Sequence, residues 1–175
     1  MSITLTIPTL TTDRLTLRAP QPADFDRYAA FRNGPRSQSV GGPFTRSQAF
    51  HQFCALTGHW QMRGFGRWIV ADIETDVALG VVGLYHPDAW PEPEIGWTVF
   101  DDAEGRGIAR EAALATRRHA YETLGWQTVM SGINAENTRS LALAARLGAR
   151  YDGDFVDPQY GTIQIWRHPS PQETV

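Results

Sequence analysis

EIGWTVFDDAEGRGIAREAALATRRHA, residues 94–120, changes its period part-way along. From Glu94 to Phe100 it alternates, with Ile95, Trp97 and Val99 on one side and Glu94, Gly96 and Thr98 on the other, as a strand does. After Asp101 and Asp102 comes Glu104-Gly105-Arg106-Gly107, then Ile108, Ala112, Ala115 and His119 at spacings that suit one face of a helix. Two glycines at a strand-to-helix turn let the backbone approach a bound group, and the first amides of a helix have no internal acceptor. Such a turn suits pyrophosphate, held by N–H groups and the positive helix end. The same glycines also serve a plain turn, so the local pattern leaves both readings open.

Working outward, 175 residues fit one domain with a core that needs no metal or disulfide support. Hydrophobic residues at 42% and charged residues at 20% describe an ordinary soluble chain, and a net charge of −3 gives no reason to expect a nucleic-acid partner. Cys54 is the only cysteine, which excludes an internal disulfide, and no zinc-ligand spacing is present, so no metal is expected. The start MSITLTIPTL has neither a basic leader nor a long apolar core, and no later run is long enough to cross a bilayer. A cytoplasmic protein with no membrane partner is the expectation.

Upstream, Met1 to Thr12 reads as a flexible or edge segment and Leu15 to Arg18 as a first strand. Ala23 to Phe31 suits a helix that Asn33-Gly34-Pro35 ends, followed by a loop through Gly41, Gly42 and Pro43. Thr45, with Gln48 three residues on, forms a capping-box signature for a second helix from Arg46 to about Met62, with Phe50, Phe53 and Cys54 on its apolar side. Trp68–Ala71 and Ala78–Tyr85 read as a hairpin. Downstream, Gly125 stops the long helix and Trp126 to Ile133 suits a strand; Asn137 caps a helix that ends at Gly148. Arg150 to His168 reads as two strands joined near Pro158 to Gly161, with a frayed tail over 169–175. One central sheet with helices packed on it follows from this order, rather than a regular doubly wound sheet.

EGRGIA, together with the preceding EIGW, the later NAENTRSLALAARLGA and the opening TDRLTLR, resembles the GCN5-related N-acetyltransferases (GNAT). It is most similar to the branch containing the ribosomal-protein N-terminal acetyltransferases. The resemblance spans roughly the whole chain, 1–175, and implies a mixed α/β (α+β) acyl-coenzyme A N-acyltransferase domain with a central, mostly antiparallel, splayed sheet flanked by helices. It implies acetyl-coenzyme A (acetyl-CoA) as co-substrate, its pyrophosphate cradled by Gly105, Arg106, Gly107, Ile108 and Ala109. It also implies a bulge at Trp97, Thr98 and Val99 that opens backbone groups to the pantetheine arm. By residue type alone Trp97 reads as packing. Glu104 departs from the Gln or Arg common at its position and brings an acidic group toward a polyanion, with Arg106 able to offset it.

The resemblance further makes Asn137 a contact for the coenzyme A arm and Ser140 a proton donor to the leaving thiolate, although their spacing also fits a simple helix cap. Asn134, at a strand end, faces the pantetheine or the acceptor, and Arg139 is a lesser phosphate candidate. Acetyl transfer to an amine needs a neutral nitrogen, hydrogen bonds to the developing oxyanion and a route for the proton. Glu94 is the candidate base if burial raises its pKa; a solvent-facing residue or a binder of substrate charge is the competing reading. His86, Asp88, Tyr151 and Tyr160 are within reach of an acceptor mouth, Trp60, Phe65 and Trp90 offer flat contacts, and His119 and Cys54 read as packing. The acceptor implied is an amine-bearing small molecule or a protein N-terminus. A homodimer is compatible with the family, and a coenzyme A-binding or regulatory module without catalysis is the alternative.

Overall fold

A computed structural model describes residues 5–173. Eight strands form one sheet: β1 (Leu10–Thr11), β2 (Leu15–Arg18), β3 (Arg67–Asp72), β4 (Ala78–Tyr85), β5 (Glu94–Val99), β6 (Met130–Ile133), β7 (Arg150–Asp157) and β8 (Gly161–Arg167). Their spatial order is β1-β2-β3-β4-β5-β6-β8-β7. Every neighbouring pair is antiparallel except β5 and β6. The helices are α1 (Phe25–Asn33), α2 (Arg46–Arg63), α3 (Ile108–Arg118) and α4 (Thr138–Arg146).

The central strands are covered on both faces, each by its own set of helices. Antiparallel partners share a face, so the pairs Trp68↔Val82 and Leu84↔Ile95 point to one side. There they meet α3 through Ile108 and through Ala112, Ala113 and Ala115, small residues that let the helix lie close to the sheet. On the other side Ile69 and Val81 meet Tyr28, Phe31, Phe53 and Leu56 of α1 and α2. A third cluster joins α4, through Ala144, to Ile133, with Trp97 and Trp166 against it.

Local signals explain most boundaries. Thr45 accepts the Gln48 N–H and the Gln48 side chain returns a bond to Thr45, while Gly64 closes α2 in the left-handed region. The buried stripe of α2 is Ala49, Phe53, Leu56 and Trp60. Phe50, half exposed, and the exposed Cys54 sit next to that stripe, so the expected apolar side was rotated by one residue. The expected strand from Trp126 is extended only from Met130; the Trp126 amide instead donates to Ala120, and its ring packs edge-on against Phe65 at 5.0 Å. Of the tail expected to fray, Pro171–Glu173 forms a 3-10 turn, Ser170 bonds Glu173, and the Tyr121 hydroxyl donates to the Pro169 carbonyl. Residues 174–175, and 1–4 of the expected flexible start, lie outside the described residues.

Candidate active site

β5 and β6 share one register pair, Glu94↔Met130, and then diverge. Side chains take over where the ladder stops. The Ser131 hydroxyl donates to the Ile95 carbonyl at 2.7 Å, and the Gly132 amide donates to Glu94 Oε2 at 2.9 Å. His168 Nε2 lies 3.0 Å from Ser131 Oγ; because that hydroxyl already donates to Ile95, the ring N–H donates to Ser131. Burial, with Arg117 and Arg167 adding to it, pushes His168 down to about 3, so the ring is neutral. These links form the apex of a wedge that opens toward Val99.

The register identifies which groups line that wedge. The Phe100 amide donates to Leu79 in β4, so by antiparallel alternation the even-numbered backbone groups of β5 face β4. The N–H and C=O groups of Ile95, Trp97 and Val99 therefore face β6. Thr98, expected beside them, has its backbone turned to β4. The expected bulge is also absent: β4 and β5 pair in one continuous register from Glu94 to Val99. The wedge comes from the divergence of β6, not from an extra residue in β5.

At the open end lies the glycine turn. Gly105 and Gly107 have φ of 75° and 79°, which L side chains rarely adopt, and Gly107 starts α3 without a side-chain cap. The first amides of α3 thus face outward with no competing acceptor from a cap. Arg14 braces the turn: its guanidinium donates to the Arg106 carbonyl at 3.2 Å and pairs with Glu111 at 2.6 Å, while Thr12 donates to the same carboxylate at 2.6 Å. Arg106 is exposed, Ala109 half-buried and Ile108 buried in the core. The unfavourable Glu104 is neutralised, with Arg139 at 2.7 Å and Arg36 at 3.0 Å. Arg139, considered for phosphate, is committed to that pair.

The α4 start brings the later motif to β5. Asn137 Oδ1 accepts the Ser140 amide at 3.2 Å, so the cap is present, and Asn134 Oδ1 accepts the Glu136 amide at 2.9 Å. Trp97 Nε1 donates to Ser140 Oγ at 3.1 Å. With its lone pair so occupied, the Ser140 hydroxyl keeps its own proton to give. Trp97 is half-buried between the sheet and α4, so packing and a site contact coincide in one side chain.

Glu94 lies on the opposite face of the sheet, buried to 7% exposure rather than facing solvent. Burial pushes its carboxyl up to about 7, against the Gly132 amide and the Arg67 charge, which pull it down. Its side chain leans along β5, so that a side chain at Gly96 would come within 3.2 Å of Oε1. Trp90 covers Gly132 closely enough that a Cβ there would clash at 2.4 Å, and its indole N–H donates to Asp157 at 3.1 Å. His86 holds the Trp90 carbonyl at 3.2 Å and His59 accepts the His86 amide at 3.1 Å. His86 is thus a brace for the connection that carries Trp90, and Asp88 is exposed. Trp60 is core, with its N–H on the Arg67 carbonyl, Phe65 packs on the α3 side and Tyr151 is exposed. Tyr160 stands over Gly41, where a Cβ would meet its ring at 2.9 Å. Among the described residues no three His, Cys, Asp or Glu side chains gather as a metal site.

The family model for the acetyltransferase (GNAT) domain matches residues 14–150. The chain is a GNAT acetyltransferase. It is 37% identical to an acetyltransferase from Agrobacterium tumefaciens str. C58 of known crystal structure, with a TM-score of 0.85, covering 97% of this chain and 98% of that one. It is 26% identical to the uncharacterized N-acetyltransferase p20 of Bacillus licheniformis, over 83% of this chain and 84% of the relative. A ribosomal alpha-N-protein acetyltransferase solved with coenzyme A shares the fold, at a TM-score of 0.75 and 15% identity, covering 92% and 97%. GNAT acetyltransferases use acetyl-CoA, and the open turn, the uncapped α3 start and the unpaired β5 edge fit such a donor.

Of the residues singled out in the sequence, the structure places Glu94 and Trp97 on β5 along the wedge, Gly105 and Gly107 in the turn before α3, and Asn137 and Ser140 at the start of α4; what braces and surrounds them carried no such signal. Arg14 and Thr12 stand in the quoted TDRLTLR opening, whose role was unassigned. Arg36 and Arg67 carry no local signal, since what they touch, Asp101 and Glu104 for Arg36 and the Tyr85 ring for Arg67, lies on other elements.

Proposed function

We propose that the protein transfers acetyl from acetyl-CoA directly to a primary amine in a ternary complex, with Glu94 as the base. The observation that carries the reading is Glu94 itself. A carboxyl buried at the apex of the β5–β6 wedge, with its pKa raised to about 7, is matched to taking a proton near neutrality. The amides of Gly107, Ile108 and Ala109 and the positive end of α3 would hold the pyrophosphate. The N–H and C=O groups of Trp97 and the N–H of Val99 would pair with the pantetheine amides, with Asn134 and Asn137 beside that arm, while the Val99 carbonyl accepts from Arg36 at 3.4 Å.

As nitrogen bonds to the acetyl carbon, the carbon–sulfur bond breaks. Glu94 takes the proton lost by nitrogen, and Ser140, polarised by the Trp97 indole, gives its hydroxyl proton to sulfur and recovers one from water. No covalent enzyme intermediate is needed, in keeping with an exposed Cys54 far along α2. Glu104 does not oppose donor binding while Arg36 and Arg139 neutralise it. A small-molecule amine is the acceptor this reading favours, with Trp90 lying over Gly132 beside Glu94 and Tyr160 against Gly41 of the α1–α2 connection.

Amine-dependent release of coenzyme A should rise with pH as one proton leaves a group near 7, then level off. Glu94→Gln should lower kcat/KM by roughly 10²- to 10³-fold and remove that limb. An unchanged profile in the variant would overturn the assignment of Glu94.

A further inference from the structure

On the Glu94 face, the register runs Arg67↔Gly83↔Gly96 across three strands, with Tyr85↔Glu94 in the adjoining row. Gly83 and Gly96 carry no side chains, so the row between Arg67 and the Glu94 carboxylate is floored by backbone, about two strand spacings or ~10 Å wide. Neither end is interchangeable with the other. At one end is the leaning carboxylate. At the other is Arg67, half-buried, its guanidinium 4.0 Å above the Tyr85 ring.

Among the described residues Arg67 makes no side-chain hydrogen bond and has no carboxylate within 4.0 Å. The ten other arginines that form ion pairs or side-chain hydrogen bonds include Arg18, Arg27 and Arg36, each with an Asp, so a lone half-buried guanidinium stands apart here. Arg32 lies across the same enclosure. Its Nε donates to Gln52 at 2.7 Å and its guanidinium covers the Phe44 ring at 4.3 Å, again with no carboxylate in reach. Glu94 accepts the Gly132 amide through Oε2, and Asp157 accepts the Trp90 indole and the Gln159 and Tyr160 amides, so neither carboxylate pairs with these arginines. Burial lowers the pKa of Arg32, and Arg67 lowers it further; both arginines act on Tyr28 and Tyr160. Two positive charges in a half-buried space, neither with a carboxylate in contact and only Arg67 drawn toward the more distant Glu94, disfavour a polycationic acceptor and suit an anion.

We infer that Arg67, supported by Arg32, binds an anionic group of the acceptor, so that the substrate is a small amine that also bears a carboxylate or phosphate. This rests on the Glu94 face being the acceptor side. Arg67 is a specificity residue here, touching the substrate away from the reacting atoms. The planar guanidinium suits both anions in a forked pair, and the Tyr85 ring keeps it oriented.

The test uses the full chain with coenzyme A bound and measures calorimetric affinity for matched acetylated products, so that it does not depend on turnover. N-acetylphenylalanine is compared with N-acetyl-2-phenylethylamine, and N-acetyl-O-phosphoethanolamine with N-acetylethanolamine. The anionic member of at least one pair should bind about tenfold tighter or more, and Arg67→Gln should abolish that preference while Arg67→Lys keeps part of it. Coenzyme A affinity should be the same in all three proteins, which reports an intact fold. Equal affinity within both pairs, or an equal loss for both members in Arg67→Gln, would overturn the inference. The parent amines are assayed for acetylation alongside. Preference without turnover would keep the anion site and sink the Glu94 mechanism; turnover without preference would do the reverse.

Discussion

In the proposed mechanism Glu94 occupies a position where function and stability oppose each other. Its folded pKa, about 7, lies above the ordinary value of 4.5 because burial disfavours the charge. The folded state therefore holds its proton more tightly than the unfolded chain. Stability from this group is full below pH 4.5 and is lost as pH rises through about 7, at a cost of about 3 kcal/mol as an upper bound. Glu94→Gln, which retains an acceptor for Gly132, should raise the melting temperature by several degrees at pH 8 and by little at pH 4.5. Equal shifts at both pH values in scanning calorimetry would contradict that. Ser140→Ala should lower kcat by about ten- to a hundredfold with donor affinity unchanged, since only the proton delivery is removed; a loss in donor affinity alone would instead make Ser140 a binding group. Both residues were legible in the sequence as types at positions, but their environments were not. Alternation gave β5 one inward side, whereas the strand is central and both faces are covered, so Glu94 is buried despite its place in the polar half of the pattern.

Among the elements, the ones that read clearly were those whose signals are local. Thr45 with Gln48, Asn137 with Ser140, and the glycines before α3 and after α2 each act within a few residues, and each does what its spacing dictates. The expected bulge was a property attached to residues 97–99 with no local pattern behind it, and the continuous β4–β5 register shows the wedge arising without one. The braces of the turn were illegible for a different reason. Arg14 and Arg106 are 92 residues apart, and Arg36, Glu104 and Arg139 come from three separate segments, so no spacing rule connects them. The turn depends on its left-handed glycines. Gly107→Val forces an L side chain to φ near 79°, a strain of roughly 1–2 kcal/mol, and reorients the first amides of α3. Coenzyme A affinity measured by calorimetry should fall at least about tenfold, with the far-ultraviolet circular dichroism spectrum retained. Unaltered affinity would remove the turn from the donor site.

Across the whole molecule, the proposed mechanism assigns the two sides of the parallel β5–β6 junction to two kinds of chemistry. On the α3 and α4 side lie the open helix start, the capping Asn137 and Ser140, suited to the acetyl-CoA arm. On the α1 and α2 side lie Glu94 and a guanidinium-lined space suited to the acceptor. The reacting carbonyl would sit in the wedge between them, reached from both faces, which an uninterrupted sheet would not permit. The most direct measurement is isothermal titration of the full chain with acetyl-CoA. Saturable one-site binding, weakened in Gly107→Val and retained in Glu94→Gln, is the expected result; a folded protein that gives no binding heat at any temperature, and no thermal shift with acetyl-CoA, would contradict a donor site in the wedge.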